Sequence, residues 1–262
     1  MENSKRHPLI AGASVTGLGT LASRSLGLIR DVATAALFGL TCGGVMDSLV
    51  VALRIPNLFR KLFAEGALSA SYLPVMTRLL ERDRRHAWQL ASVLLTCLAL
   101  FLTILVLIGE GICGLILLIW GDVPGMHLLI GLTAVMLPYM LFICLAAQVA
   151  ATLHTLSHFA IPALAPTLLN ICWLIGVWFI CPHFTSPEAQ AYVIAVCVIV
   201  AGVLQLGIQV PVLFGRGFRF DFNWAAGRGA LVEVLRSMGP MVLGLAVTQV
   251  NTLMDSLIAW GL

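Results

Sequence analysis

Apolar residues run along this chain in long blocks separated by short polar connections. A membrane-crossing helix needs about 20 predominantly apolar residues at ~1.5 Å rise each. Residues 87–120, 123–150, 159–181, 189–214 and 239–262 meet that length. The first of these carries one charge, Glu110, and exceeds a single perpendicular span. It predicts a helix to about Leu107 and a tilted or interfacial continuation after Gly109 and Gly111. Residues 9–38 and 45–75 have the length but carry charges. The pattern predicts an all-α polytopic membrane bundle of about seven spans.

Composition supports that reading. Of 262 residues, 60% are hydrophobic and 10% charged, against about 25% charged in ordinary globular chains. A water-soluble enzyme of this size needs more polar surface, so an integral membrane protein is expected. A net charge of +3, unevenly placed, gives no reason to expect nucleic acid as a partner. Cys42, Cys97, Cys113, Cys144, Cys172, Cys181 and Cys197 stand apart without a CxxC pair, and read as small buried hydrophobes. Lys5 and Arg6 before an apolar stretch resemble a signal n-region, but no small-residue cleavage site follows, so the first segment reads as a retained helix.

The basic residues set an orientation. Numbering faces from the N-terminal tail, one face collects Lys5, Arg6, Arg78, Arg82, Arg84, Arg85, Arg216, Arg219, Arg228 and Arg236. The opposite loops, near residues 41–44, 121–125 and 182–188, contain no Lys or Arg. By the positive-inside tendency the N-terminus is expected in the cytoplasm. The connection 215–237 carries Phe218, Phe220, Phe222 and Trp224 at alternate positions, then a short helix-like stretch around Leu231, Val234 and Leu235. It reads as an interfacial anchor between a lobe at 1–214 and a further helix at 238–262.

The remaining basic residues lie within the first two spans. Arg24, Arg30 and Asp31 fall in the first, and Asp47, Arg54, Arg60, Lys61 and Glu65 in the second. A charge at mid-membrane costs roughly 2.5–3.5 kcal/mol on insertion scales, so these groups must face one another, the protein interior or a hydrated cavity. Asp47, Arg54 and Lys61 recur every seven positions and form one stripe on an unbroken helix, which Pro56 threatens to kink. Internal ion pairs locking the two helices together are the plainer reading. Three acids against five bases leave a cationic surplus, which is expensive in a dry cavity unless an anion visits it. The planar fork of Arg suits phosphate-like oxygens.

Other constellations carry less. His154 and His158 share a helical spacing but have no acidic or thiol partner within a turn, so no metal site is expected. No catalytic or cofactor-binding motif stands out, and neither an enzyme activity nor a cofactor is expected. Asn170, Gln205, Gln209, Gln249, Asn251 and Asp255 read as interhelical glue, with Asp255 the best cavity candidate among them.

Several runs resemble one family. They are Ser23-Arg24-Ser25-Leu26-Gly27-Leu28-Ile29-Arg30-Asp31, then Met46-Asp47, and Arg54-Ile55-Pro56-Asn57-Leu58-Phe59-Arg60-Lys61-Leu62-Phe63-Ala64-Glu65-Gly66-Ala67. Further along come Ile161-Pro162-Ala163-Leu164-Ala165-Pro166-Thr167-Leu168-Leu169-Asn170, Gly202-Val203-Leu204-Gln205-Leu206 and Met238-Gly239-Pro240. Together they resemble the MurJ (MviN) lipid II flippase family of the multidrug/oligosaccharidyl-lipid/polysaccharide exporter superfamily.

The resemblance implies a two-lobed transporter of fourteen helices in the bacterial inner membrane. It would flip the undecaprenyl-diphosphate-linked peptidoglycan precursor by alternating access, with a cationic cavity engaging the head group. Carried over by motif, the substrate-binding residues are Arg24, Arg30, Arg60 and Asp47, with Ser23 and Glu65 as weaker carry-overs. Lys61 stands where the family pattern leads us to expect a second arginine, and keeps the charge without the fork. The chain reaches only the first helix of the second lobe. It is therefore expected to be a piece of a longer protein, or a truncated product pairing with a second chain. The rival readings are a polysaccharide-lipid or multidrug exporter of the same superfamily, and an inactive stub that binds a partner lobe.

Overall fold

The structure is a computed structural model. It describes the backbone of residues 2–39, 44–63, 67–121, 123 and 125–261, and the side chains of 17–39, 44–61, 68–121, 123, 125–241 and 244. Among the described residues there are eight α-helices and no strand: α1 (Glu2–Phe38), α2 (Val45–Phe63), α3 (Ala67–Arg82), α4 (Arg84–Trp120), α5 (Met126–Thr155), α6 (Ala160–Ile175), α7 (Pro187–Gly215) and α8 (Trp224–Gly261).

Local chemistry sets several boundaries. Asp83 caps α4, its carboxylate accepting from the backbone N–H groups of Arg85 and His86, which satisfies donors that the helix leaves orphaned. Ser186 caps α7 by accepting from Ala189 N–H, with Pro187 opening the helix where its lacking N–H matters least. Gly125 starts α5 at φ +80°, a conformation that favours glycine. Past Ile175 the sixth helix widens into a π turn, with Cys181 N–H bonded to Gly176 O, and tightens into a 3₁₀ turn at Cys181–His183. Pro182 has no N–H with which to continue the α register.

Among the described residues, four helices are long and apolar enough to cross a membrane: α4, α5, α6 with its continuation to His183, and α7. The expected second span is described as α2 to Phe63 and α3 from Ala67, and residues 64–66 lie outside the described residues. The structure departs from the periodicity in two places. The expected third span does not change course after Leu107, because α4 runs unbroken to Trp120. In hydrocarbon a helix is the one local way to satisfy backbone groups, and Gly109 lies so near α5 that a Cβ would stand 2.9 Å from Leu137 Cδ1. The short helix expected before Met238 is instead the start of α8, which is continuous from Trp224.

Helix α5 is the hub, packing on α2, α4 and α7, while α6 joins α7 to α1. Helices α1 and α2 lean on α6 and α5 respectively rather than on each other. The apolar interior has two parts. One, at the end carrying the loop arginines, includes Tyr72, Met76, Trp88, Leu94, Leu153 and Val234. The other, at the charge-poor end, includes Phe38, Leu49, Met136, Trp173, Ile194 and Val198. Outward faces carry Leu107, Leu118, Phe179, Val196 and Val203, as lipid contact requires.

Candidate functional site

The first element of the site is the seam between α1 and α6. It forms because α1 offers no side chain where the helices meet. A Cβ on Gly19 would stand 2.9 Å from Ala163 O, and one on Gly27 would reach the Asn170 amide at 3.8 Å. Close approach lets Asn170, only 5% exposed, bridge two turns of α1. Its Nδ2 donates to Ser23 O at 2.9 Å, and its Oδ1 accepts from Arg30 Nη1 at 3.1 Å. The Arg30 guanidinium also lies over the Trp173 ring, 5.1 Å from its centroid. Trp173 Nε1 donates to Thr34 Oγ1 at 2.9 Å, and Thr34 donates to Arg30 O at 2.7 Å.

The rest of the fork is turned to Asp31. Nε and Nη2 donate to its Oδ1 at 3.0 and 2.8 Å. The pair is open to solvent on the carboxylate side, with Asp31 66% exposed against 24% for Arg30. These contacts occupy three of the five N–H groups of Arg30. Arg30 is thus a held, partly neutralised cation whose remaining donors are set in direction.

The second element is α2, which continues through Pro56. Asp47, Arg54 and Lys61 are all exposed, as one stripe of an unbroken helix would be. Arg60 is turned away from that stripe into a cavity of about 210 Å³, walled by α3, α5, α6 and α7. Four alanines of α5, Ala146, Ala147, Ala150 and Ala151, line it and leave the room. Its polar lining is Arg60, Ser69, His154, Gln205 and Gln209.

At the end carrying the loop arginines, the α5–α6 connection is tied to the end of α7. Arg216 Nη2 donates to His158 Nδ1 at 2.9 Å. Burial first, then the Arg216 charge, holds the imidazole below its ordinary range. Asp83 moves the same way for other reasons. The His86 side chain at 2.6 Å and the Arg85 N–H hold its carboxyl below the usual carboxylate range.

A family model described as the lipid II flippase MurJ matches residues 34–262. The chain belongs to the MurJ family. It is 32% identical over 269 residues to a probable lipid II flippase MurJ of Vibrio cholerae, covering 98% of this chain and 50% of that one. It is 32% identical over 256 residues to the lipid II flippase MurJ of Burkholderia cenocepacia, covering 92% and 48%. Among solved structures, a lipid II flippase MurJ in an inward closed conformation superposes with a TM-score of 0.71 at 24% identity, over 92% of this chain and 49% of that one. A MOP superfamily transporter from Pyrococcus furiosus shares the fold more distantly, with a TM-score of 0.53 at 18% identity. The chain spans about half the length of the curated relatives it matches.

The MurJ-like signature residues do not all converge. Arg30 and Arg60 occupy the two elements above. Arg24 is exposed on α1, and Ser23 takes part through its backbone carbonyl rather than its hydroxyl. Asp47 lies in the first turn of α2, 13 residues from Arg60 and so about 20 Å away along the helix. It does not share Arg60's cavity. Lys61 points outward, and Glu65 lies outside the described residues, as does the side chain of Asp255. From the sequence alone Gln205 and Gln209 read as interhelical glue, and neither Trp173 nor Thr34 stands out as part of the site. The rows of alanine on α5 were the available signal, because small residues opposite a polar one leave it facing space.

Proposed function

We propose that this chain forms one lobe of a transporter that moves the undecaprenyl-diphosphate-linked peptidoglycan precursor across the bacterial cytoplasmic membrane. Its N-terminus and the loop arginines of α3, α4, α7 and α8 face the cytoplasm. The observation that carries this reading is Arg60, a fork-shaped cation turned into a polar-lined cavity inside an apolar bundle. The guanidinium fork suits phosphate oxygens, which it can meet with two directed, charge-assisted bonds. Arg30 presents a second, braced fork on α1, with Arg24 farther along the same helix. Asp47 and Lys61 line the outward stripe of α2, where a facing lobe would meet them. Ser23 and Glu65 complete the set taken from the family signature.

The lobe is assigned to residues 1–214 and the connection to 215–237. Residues 238–262 open the second lobe, with α8 carrying the chain through from Trp224. That second lobe, from the same polypeptide or another, supplies the opposite wall. Rocking of the two exposes the cations to each leaflet in turn. The role is transport rather than bond-making, so no residue is assigned to catalysis.

The test uses the complete transporter. Arg60→Ala abolishes rescue of a flippase-depleted strain at normal membrane abundance, and Arg60→Lys restores only part of it, because the charge returns without the fork. Full rescue by Arg60→Ala defeats the assignment.

A further inference from the structure

The cavity that holds Arg60 contains two groups that a phosphate does not satisfy. Gln205 and Gln209 of α7 are each 1% exposed and line it, and the Oε1 of each is buried without a hydrogen-bond partner. Their orientation has a chemical cause at Gln209. Its Nε2 donates to the Gln205 backbone oxygen at 2.9 Å. That oxygen accepts only, so the amide nitrogen must face it and the carbonyl end is the one left over. A buried carbonyl without a donor is costly and uncommon in folded proteins. Two of them, four residues apart on one face of α7, stand where a 210 Å³ space adjoins them. That is far more room than one bound water needs.

We infer that Gln205 and Gln209 form the acceptor half of a bipartite head-group site whose cationic half is Arg60. Arg60 takes acidic oxygens, and the glutamine carbonyls take the O–H donors of the sugar joined to them. The inference rests on the transport reading above and deepens it: the cavity distinguishes a glycosylated lipid diphosphate from the bare lipid diphosphate. A site with buried acceptors rejects a ligand lacking donors, because the acceptors are then left unpaired. The alanine wall of α5 gives the sugar space without competing for its hydroxyls.

The test uses the full-length transporter in detergent, with two probes: undecaprenyl diphosphate, and the same lipid carrying its sugar. Wild-type protein is expected to prefer the glycosylated lipid. Gln205→Met and Gln209→Met, close in volume but without the acceptor, each reduce that preference about 2- to 10-fold. Affinity for the bare lipid stays unchanged, and so does or rises the melting temperature. Arg60→Ala instead weakens both lipids together. A second arm needs no variant: a glycosylated lipid with its hydroxyls methylated binds wild-type protein no better than the bare lipid. Equal binding of both lipids by the wild type, retained preference in both glutamine variants, or undiminished binding of the methylated lipid overturns the inference while leaving the transport reading intact. Failure of the wild type to bind either lipid overturns both.

Discussion

Arg30 shows how a single charged residue is made usable inside an apolar bundle. Its cost is offset by Asp31, by the Asn170 carbonyl and by the Trp173 ring. Asn170 is the residue on which this depends, since it is buried and bridges Arg30 to the Ser23 carbonyl. Asn170→Ala is expected to cost about 2–3 kcal/mol, as hydrogen bonds to a charged partner do. It should appear as a lowered melting temperature in detergent, with transport reduced beyond what the loss of folded protein explains. Arg30→Lys tests the fork separately: charge is retained, but stacking on Trp173 and the paired donors are lost.

Two groups at the end carrying the loop arginines set the pH response at the residue scale. His158 is held below its ordinary range by burial and Arg216, so the unfolded chain takes up its proton first. Its contribution is full above the unfolded value of about 6.5 and is lost as pH falls through the lower folded value. Asp83 is also depressed. Its contribution is full above about 3.9 and is lost as pH falls further. Melting temperature measured from pH 8 to pH 3 should therefore decline in two separated steps. His158→Gln removes the upper step and Asp83→Asn the lower.

At the scale of elements, contact between helices depends on what glycines omit. Gly19 meets the Ala163 backbone, whereas nothing lies within 4 Å of a Cβ on Gly17. Gly19→Ala is expected to force α1 from α6 and cost about 1–3 kcal/mol. Gly17→Ala should be neutral or slightly stabilising, since alanine is the better helix former. Thermal denaturation of the two variants side by side checks this. The pair also marks what was legible in the sequence. Apolar block length gives α5 and α7 nearly to their ends. Gly109 looked like a break because a lone sequence cannot show Leu137 across the seam. Gln205 and Gln209 look like glue because their surroundings depend on alanines 54–63 residues away on α5. Nonlocal packing decides both, and periodicity does not encode it.

Over the whole molecule, the connection between α7 and α8 is a strap rather than a loose tether. Phe218 is 4% exposed, meeting Trp88 edge-on at 5.5 Å between centroids and Phe214 at the same distance. Asp221 accepts from Gln89 Nε2 at 2.9 Å, lies 3.5 Å from Arg85 Nε, and its backbone N–H donates to Ser92 Oγ. Phe220, Phe222 and Trp224 face outward, where aromatic rings suit the headgroup layer. The strap fixes the start of α8 on α4, and Arg78 of α3 holds Glu233 about two and a half turns into α8. Motion of a lobe attached through α8 is therefore transmitted to α4 unless the strap lets go. Phe218→Ala empties an aromatic pocket and is expected to cost about 3 kcal/mol locally. The loss should free residues 216–223 for protease cleavage while α5 and α7 stay protected. Cleavage no faster than in the wild type would mean that Asp221 alone retains the strap, and Asp221→Ala combined with Phe218→Ala should then release it.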